Sequence, residues 1–388
     1  MRILIQGAGP AGLTLALALH RRGIAAKVVE RAQRGRMDGY VVALRHNGLR
    51  AARVLGLEGA MQAAKIPLGA ARYRREDGRP FVAFDYAKLT AAGGMIAILR
   101  KDIMAVLEGA AAGLDIVYEK SISTLNQREN AVAVTFDDGT DEEFDAVIGA
   151  DGYRSDTRKI VFGADGVGVE ELGYRIAAWR FRPDKPLAYS ASGISEVQRQ
   201  ATIYQLADGT AETLLCWKDD DVSRHDAAQK QATVAKYFGS CPDPIKAAIE
   251  SCPDWGTSFA DTMAIVNLPA WHRGRVALLG DAAWSLALIS GEGPSTAMVG
   301  ALVLAEELTT QSDVAAAFVH YERRLRPQIA QVQRMARRVA GQFVPASAMG
   351  MAAQKALLPV MTSRLLLPRV VKRSQAPAVA FQDTLPGE

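Results

Sequence analysis

Short apolar runs, apolar segments with helical spacing and strictly alternating segments divide the chain between them. Arg2–Gln6 is an apolar run closed by Gly7, and residues 27–30 form a second one that ends in Glu30. Between them, 11–22 read Ala-Gly-Leu-Thr-Leu-Ala-Leu-Ala-Leu-His-Arg-Arg, without a polar face until the last turn, and Gly23 follows. Two apolar strands joined by a helix of this kind predict a βαβ unit in a parallel sheet covered on both faces. Helical spacing recurs over 47–57 and 101–112. Strands are expected over 115–126, 131–137 and 143–148, the second running into the turn Asp137-Asp138-Gly139.

Over 72–85 and again over 170–217 the pattern changes to alternation rich in Tyr, Trp, Phe, Val and Thr. This predicts an antiparallel sheet interleaved in sequence with the α/β part. Residues 275–279 return to an apolar strand, and 313–342 form a long helical stretch with a kink expected at Pro327. Residues 343–373 mix apolar side chains with Lys355, Arg364, Arg369, Lys372 and Arg373 and are divided by Pro345, Pro359 and Pro368. A helical segment packed on the rest is expected there, with a frayed end after Ser374.

Composition narrows the function classes. With 388 residues, 49% hydrophobic and 23% charged, the chain is a globular protein long enough for two domains. Subtracting 42 acidic from 46 basic residues leaves +4, spread along the chain, which gives no nucleic-acid footprint. Cys216, Cys241 and Cys252 form no CxxC pair, and the five histidines share no ligand spacing, so neither a disulfide framework nor a metal site is expected. Neither a secretory signal nor a spanning helix is expected from the pattern, and a cytoplasmic, monomeric protein is the expectation.

Gly7-Ala8-Gly9-Pro10-Ala11-Gly12 lies between the first strand and the first helix, and Glu30 stands eighteen residues after the last glycine. In such a loop the first glycine permits a tight turn and the second lets backbone approach a pyrophosphate. The third lets helix and strand pack, while the acid after the second strand faces a ribose. Two later segments also release an aspartate from the end of an apolar strand. They are Gly149-Ala150-Asp151-Gly152, continuing to Ser155 and Arg158, and Gly280-Asp281-Ala282-Ala283. Ligands collect at that sheet edge, although Asp151 also suits a plain turn-capping role. Gly291-Glu292-Gly293-Pro294 then opens a helix expected to run through Leu308, with Ser295 or Thr296 as its cap. The start of that helix favours negative charge.

Together these segments resemble the class A flavoprotein monooxygenases, the p-hydroxybenzoate hydroxylase superfamily. Within it, Ile98-Leu99-Arg100-Lys101-Asp102-Ile103 and the run from Gly274 to Leu308 resemble the flavin-dependent tetracycline destructases. The likeness covers roughly residues 1–165 and 260–340. It implies an α/β fold: a Rossmann-type FAD-binding domain, an interleaved antiparallel β-sheet substrate domain and a C-terminal helix. The corresponding ranges are 1–71, 95–168 and 265–312 for FAD, 72–94 and 169–264 for substrate, and 313–388 for the helical segment.

The resemblance implies FAD held by Gly7, Gly9, Pro10, Ala11, Gly12, Glu30 and Arg31 at the adenosine end. Arg100 and Asp281 would meet its ribityl and phosphate portion, and Arg45, Gly291, Gly293 and Pro294 its ring. Arg36 sits where some members contact NADPH or NADH. Trp179, Tyr204, Trp217 and Trp284 are the aromatic candidates for a substrate pocket, although Trp179, Tyr204 and Trp217 suit a strand core equally well. The implied activity is NAD(P)H- and O₂-consuming hydroxylation of an aromatic or polyketide-like molecule, tetracyclines included, through a flavin C4a-hydroperoxide. The alternatives are a reductase of the same fold without oxygen insertion and a non-catalytic flavin- or ligand-binding protein. The chain departs from its relatives at Trp284, where many carry histidine, at Ala43, where some destructases carry aspartate, and at Glu292, where glutamine is commoner.

Overall fold

The computed structural model describes residues 1–35, 40–163, 168–221, 223, 225–345, 347–361, 363, 366 and 369. Arg36, Gly39 and the end after Ser374 lie outside the described residues, as do Arg364, Lys372 and Arg373.

The βαβ unit forms as the pattern requires: strand Arg2–Gln6, helix Pro10–His20, strand Ala25–Glu30. Its strands sit inside a six-stranded sheet whose order is His272–Arg273, Val276–Leu278, Ala146–Gly149, Arg2–Gln6, Ala25–Glu30, Asp115–Tyr118. All neighbours are parallel except the short edge pair 272–273 with 276–278. The helix Pro10–His20 is buried from Ala11 to Leu19 and packs against Gly293–Thr310, itself buried through most of its length. Helices apolar on every side are the ones a fold sandwiches, and the Ala and Gly positions of both allow close approach.

Two strands expected as continuous are broken. The stretch 115–126 divides into Asp115–Tyr118 and Ile122–Gln127, because Glu119 adopts a left-handed conformation (φ 57°) and turns the chain out of the parallel sheet. The stretch 143–148 divides into Asp141–Phe144 and Ala146–Gly149 at Asp145, whose backbone N–H donates to the Arg2 carbonyl and whose carboxylate accepts the Arg2 N–H. The outer halves, with Val132–Phe136, make a separate three-stranded antiparallel sheet. The helix expected over 47–57 stops at Val54; Gly56 (φ 66°) turns the chain into a second helix, Glu58–Ala63. The long helix Val314–Phe343 continues through Pro327.

The second large sheet has eight strands, running from Phe259–Val266 through Val169–Ala178, Ala211–Lys218, Arg199–Gln205, Ala191–Glu196 and Ala70–Arg74 to Pro80–Asp85, with Arg180–Phe181 paired beside Ala211–Lys218. It departs from the antiparallel expectation at one pair, since Ala191–Glu196 and Ala70–Arg74 run parallel. Those two strands come from distant parts of the sequence, so no hairpin constrains their direction. Strands Ala70–Arg74 and Phe259–Val266 also cross the expected boundaries at 71/72 and 264/265.

One face of this sheet carries Ala177, Trp179, Ala201, Ile203, Leu215 and Trp217 against Val234, Phe238, Ile245 and Ala248 of the helices Ala227–Phe238 and Ile245–Glu250. The opposite face carries Ile176, Tyr204 and Leu214. Helix Ala348–Met361 packs on that side of the molecule through Met351, with Phe81, Val82 and Tyr204 in the same cluster. Among the described residues no helix is long and apolar enough to cross a membrane.

Candidate active-site cleft

A cleft of about 540 Å³ runs from the glycine loop and Glu30, along the carboxyl ends of the parallel strands, to the second face of the large sheet. The three loop glycines have different reasons to lack a side chain. Gly7 has φ +108°, and a Cβ there would lie 2.4 Å from the Ala150 carbonyl oxygen. A Cβ on Gly12 would lie 1.9 Å from the Gly7 carbonyl oxygen, so this residue keeps helix and loop together. Among the described residues nothing stands within 4 Å of a Cβ built on Gly9: its open side lines the cleft. No side chain caps the helix Pro10–His20, whose first-turn N–H groups therefore remain free for an anion.

Glu30 serves this loop directly. Its Oε2 accepts the Ala8 N–H and its Oε1 accepts the Ala32 N–H, both at 2.8 Å. Pro10 and Ala11 line the cleft, as does Arg31, which reaches Asp156 Oδ2 at 2.9 Å. Asp151 also lines it, but its carboxylate accepts from Ser155 Oγ and from Thr157 N and Oγ1, the turn-capping role.

Asp281 is delivered from the other end of the chain. Strand Val276–Leu278 releases the chain at Gly280 (φ 65°), and Asp281 opens the short helix Asp281–Trp284. Its side chain is open to water through the cleft yet enclosed by protein, so burial pushes its carboxyl upward while Arg100 opposes the shift. Tyr40 stands close by, its phenol pushed up to about 12 by burial against the pull of Arg100, and its ring lies 4.9 Å from that of Phe259.

The segment 287–294 forms the adjoining wall. Ala287 (φ 56°) and Gly291 (φ 61°) both take the left-handed conformation, and Gly291, Gly293 and Pro294 line the cleft. The expected cap is absent. Ser295 Oγ accepts the Arg45 N–H at 3.0 Å, and Thr296 Oγ1 donates to the Glu292 carbonyl at 2.9 Å, which leaves the start of Gly293–Thr310 uncapped by a side chain. Arg45 does not line the cleft. It lies behind Gly291, with Nε 3.2 Å from Oε1 of Glu292, a residue only 1% exposed. Among the described residues neither oxygen of that carboxylate has a hydrogen-bond partner, and burial raises its pKa to about 7.

The aromatic candidates separate. Tyr204 lines the cleft; Trp179 and Trp217 belong to the opposite face of the sheet and pack on helices there. Trp284 is a core residue, its ring tilted against that of Trp271 with centroids 4.5 Å apart and set beneath Gly300, where a Cβ would meet it at 2.9 Å. Pleated strands send alternate residues to opposite faces, so one step of phase decides which aromatic meets the cleft.

Sequence reasoning missed Tyr40, Tyr153 and Asp261. Asp261 on strand Phe259–Val266 accepts from Tyr153 Oη at 2.5 Å and from Arg154 at 2.7 Å, tying the two sheets together at the cleft. Tyr153 and Arg154 directly follow the Asp151-Gly152 pair, but their partner lies far along the chain. Among the described residues no group of three potential metal ligands occurs.

Comparison with known proteins agrees with this geometry. A family model described as FAD binding domain matches residues 1–334. A flavin-dependent monooxygenase from an unknown prokaryotic organism is 28% identical over 333 residues, covering 84% of this chain and 86% of the relative. An uncharacterized protein of Mycobacterium tuberculosis (strain H37Rv) is 31% identical over 324 residues, 80% of this chain and 86% of that one. The crystal structure of tetracycline destructase Tet(51) superposes with a TM-score of 0.85 at 24% identity, covering 100% of this chain and 99% of the other.

Proposed function

The chain belongs to the FAD binding domain family and is an FAD-dependent monooxygenase, and we propose that it uses NADPH or NADH and O₂ to hydroxylate an aromatic or polyketide-like small molecule in this cleft. The observation that carries the reading is the continuity of the cleft. A glycine loop with an uncapped helix start, Asp281 with Arg100, and an apolar sheet face line one space. The residues present fit an FAD: the open side of Gly9 leaves room for a pyrophosphate, and the Asp281 carboxylate, exposed into the cleft, can accept hydroxyl donors.

In this reading the backbone from Gly7 to Gly12 and the helix start hold the phosphates, with Glu30 fixing the loop. Arg31 borders the adenosine end. Asp281 and Arg100 hold the ribityl portion, and the start of Gly293–Thr310 faces the ring. Arg45 acts through Glu292, not by lining the cleft. Bound FAD supplies transfer of two electrons from the nicotinamide and activation of O₂, one atom going to substrate and the other to water. The apolar wall excludes water from that exchange. Arg36 is the proposed nicotinamide contact. The protein would work as a monomer in the reducing cytoplasm, in keeping with its three free cysteines.

The test is NAD(P)H oxidation by the purified protein in the presence of phenols, anthraquinones and tetracyclines, with product mass measured. A product heavier by one oxygen atom, formed with matched O₂ uptake, is the expected result. Substrate reduction without O₂ uptake would identify a reductase, and no turnover with any of them a binding protein. Asp281→Ala should weaken FAD binding by about 1–3 kcal/mol; a variant that holds flavin as tightly as the parent in a fluorescence titration removes Asp281 from the site.

A further inference from the structure

We propose that the sheet-side half of the cleft takes an uncharged, planar, largely apolar polycyclic molecule, anchored by a hydrogen bond to the Tyr204 phenol. The proposal rests on the monooxygenase reading and sharpens its substrate class.

Ile176, Tyr204, Leu214, Phe259, Met263 and Leu288 form this half. Among the described residues lining the cleft, the charged side chains lie mostly on the parallel-sheet side, as Glu30, Arg31, Arg100 and Asp281 do. The one on the large sheet, Asp261, is already engaged by Tyr153 and Arg154. A charged substituent brought against Leu214 or Met263 would leave water and meet no opposite charge, and that desolvation is left uncompensated. Flat apolar surface loses nothing by the same move and gains stacking area beside Phe259 and Tyr40.

Beside Tyr204 the hydroxyls of Tyr73, Tyr86 and Thr202 gather. The Tyr204 ring lies 6.3 Å from that of Tyr86. Tyr73 Oη lies 2.9 Å from Thr202 Oγ1 and 3.3 Å from Tyr86 Oη. Burial pushes all three phenols above their ordinary value, so they remain neutral at physiological pH. Neutral hydroxyls donate to a carbonyl or accept from a hydroxyl, but they supply no charge to balance an ion. The wall therefore ranks a charged polycycle, a zwitterionic tetracycline included, below an uncharged one of equal size.

The test uses FAD-loaded, oxidised protein without reductant, so that binding is read apart from turnover. Equilibrium dialysis against hydroxymethyl-anthraquinone and anthraquinone sulfonate follows each ligand by its own absorbance. The neutral quinone should bind about tenfold or more tightly than the sulfonate. Tyr204→Phe should weaken the quinone about three- to tenfold while leaving the matching anthracene, which lacks the ring carbonyls, unchanged. Sulfonate binding as tight as that of the quinone overturns the proposal, as does a quinone that fails to bind. So does a Tyr204→Phe variant that weakens quinone and anthracene alike, or neither. Failure of the protein to take up FAD in the loading step would instead defeat the reading on which the proposal rests.

Discussion

Gly12→Val should yield protein that holds no flavin and is severely destabilised, by about 3–5 kcal/mol. The added Cβ would sit 1.9 Å from the Gly7 carbonyl oxygen, 3.1 Å from its carbon and 3.2 Å from Ile5 Cγ2. The nearest of these atoms are backbone, so no side-chain rotation relieves the clash. The helix has no room to retreat, because Ala11 to Leu19 are buried between the parallel sheet and Gly293–Thr310. The glycine loop must open instead, and the phosphate cradle goes with it. Gly9→Ala is the matched control. Among the described residues nothing lies within 4 Å of its new Cβ, so its melting temperature should stay at the parental value while FAD affinity falls, the methyl group occupying the ligand's space. Thermal melts and flavin content of the two variants check the pair. Gly12→Val with parental flavin occupancy and melting temperature would show that the loop is more pliant than its packing implies.

Glu292→Gln should remove a pH dependence from the protein's stability. Burial raises this carboxyl from an ordinary 4.5 to about 7, the nearby Arg45 guanidinium pulling the other way. The sign follows from proton binding. Between these two values the folded protein keeps a proton that the unfolded chain releases, so stability contributed by the neutral acid is complete below about 4.5 and is lost as pH rises to about 7. The full loss is about 3 kcal/mol, the span from 4.5 to about 7 taken at roughly 1.4 kcal/mol per pH unit. Glutamine has no such transition. It leaves Arg45 without its carboxylate, but arginine stays charged across the range, so that cost shifts the whole curve and leaves its slope alone. Melting temperatures of variant and parent, taken from about pH 5 to pH 8, should diverge in favour of glutamine as pH rises, by a few degrees. Parallel curves would mean that Glu292 does not titrate in this window. The site lies at the start of the helix that borders the cleft, so its ionisation also changes the charge at that wall.

Much of the nucleotide half is legible in the amino-acid sequence. The strand–glycine loop–helix at residues 2–20 forms where its apolar pattern and glycine spacing place it, and Asp281 arrives at the cleft from the end of an apolar strand. Such features are local: strand period, turn geometry and helix starts are set by residues within a few positions of each other. Pattern and fold part company where the chain changes sheets without changing composition. Glu119 and Asp145 each end one strand and start another, and neither residue type announces a sheet exchange. The cap expected from Ser295 or Thr296 fails for a related reason: Ser295 is occupied by the backbone of Arg45, a residue no local rule brings near it.

By itself, the order of side chains determined that this chain builds a parallel sheet with a tight glycine loop at its first turn. Short-range sterics leave glycines so spaced, between a strand and a helix, few other conformations. Only the tertiary structure decided which face of the large sheet meets the cleft, so that Tyr204 and Leu214 line it while Trp179 and Trp217 pack on helices. It alone set Arg45 against Glu292 and Asp261 against Tyr153. Those outcomes depend on strand phase and on contacts between residues far apart in sequence. They are settled by which surfaces can be buried together, a property of the packed chain and not of any segment.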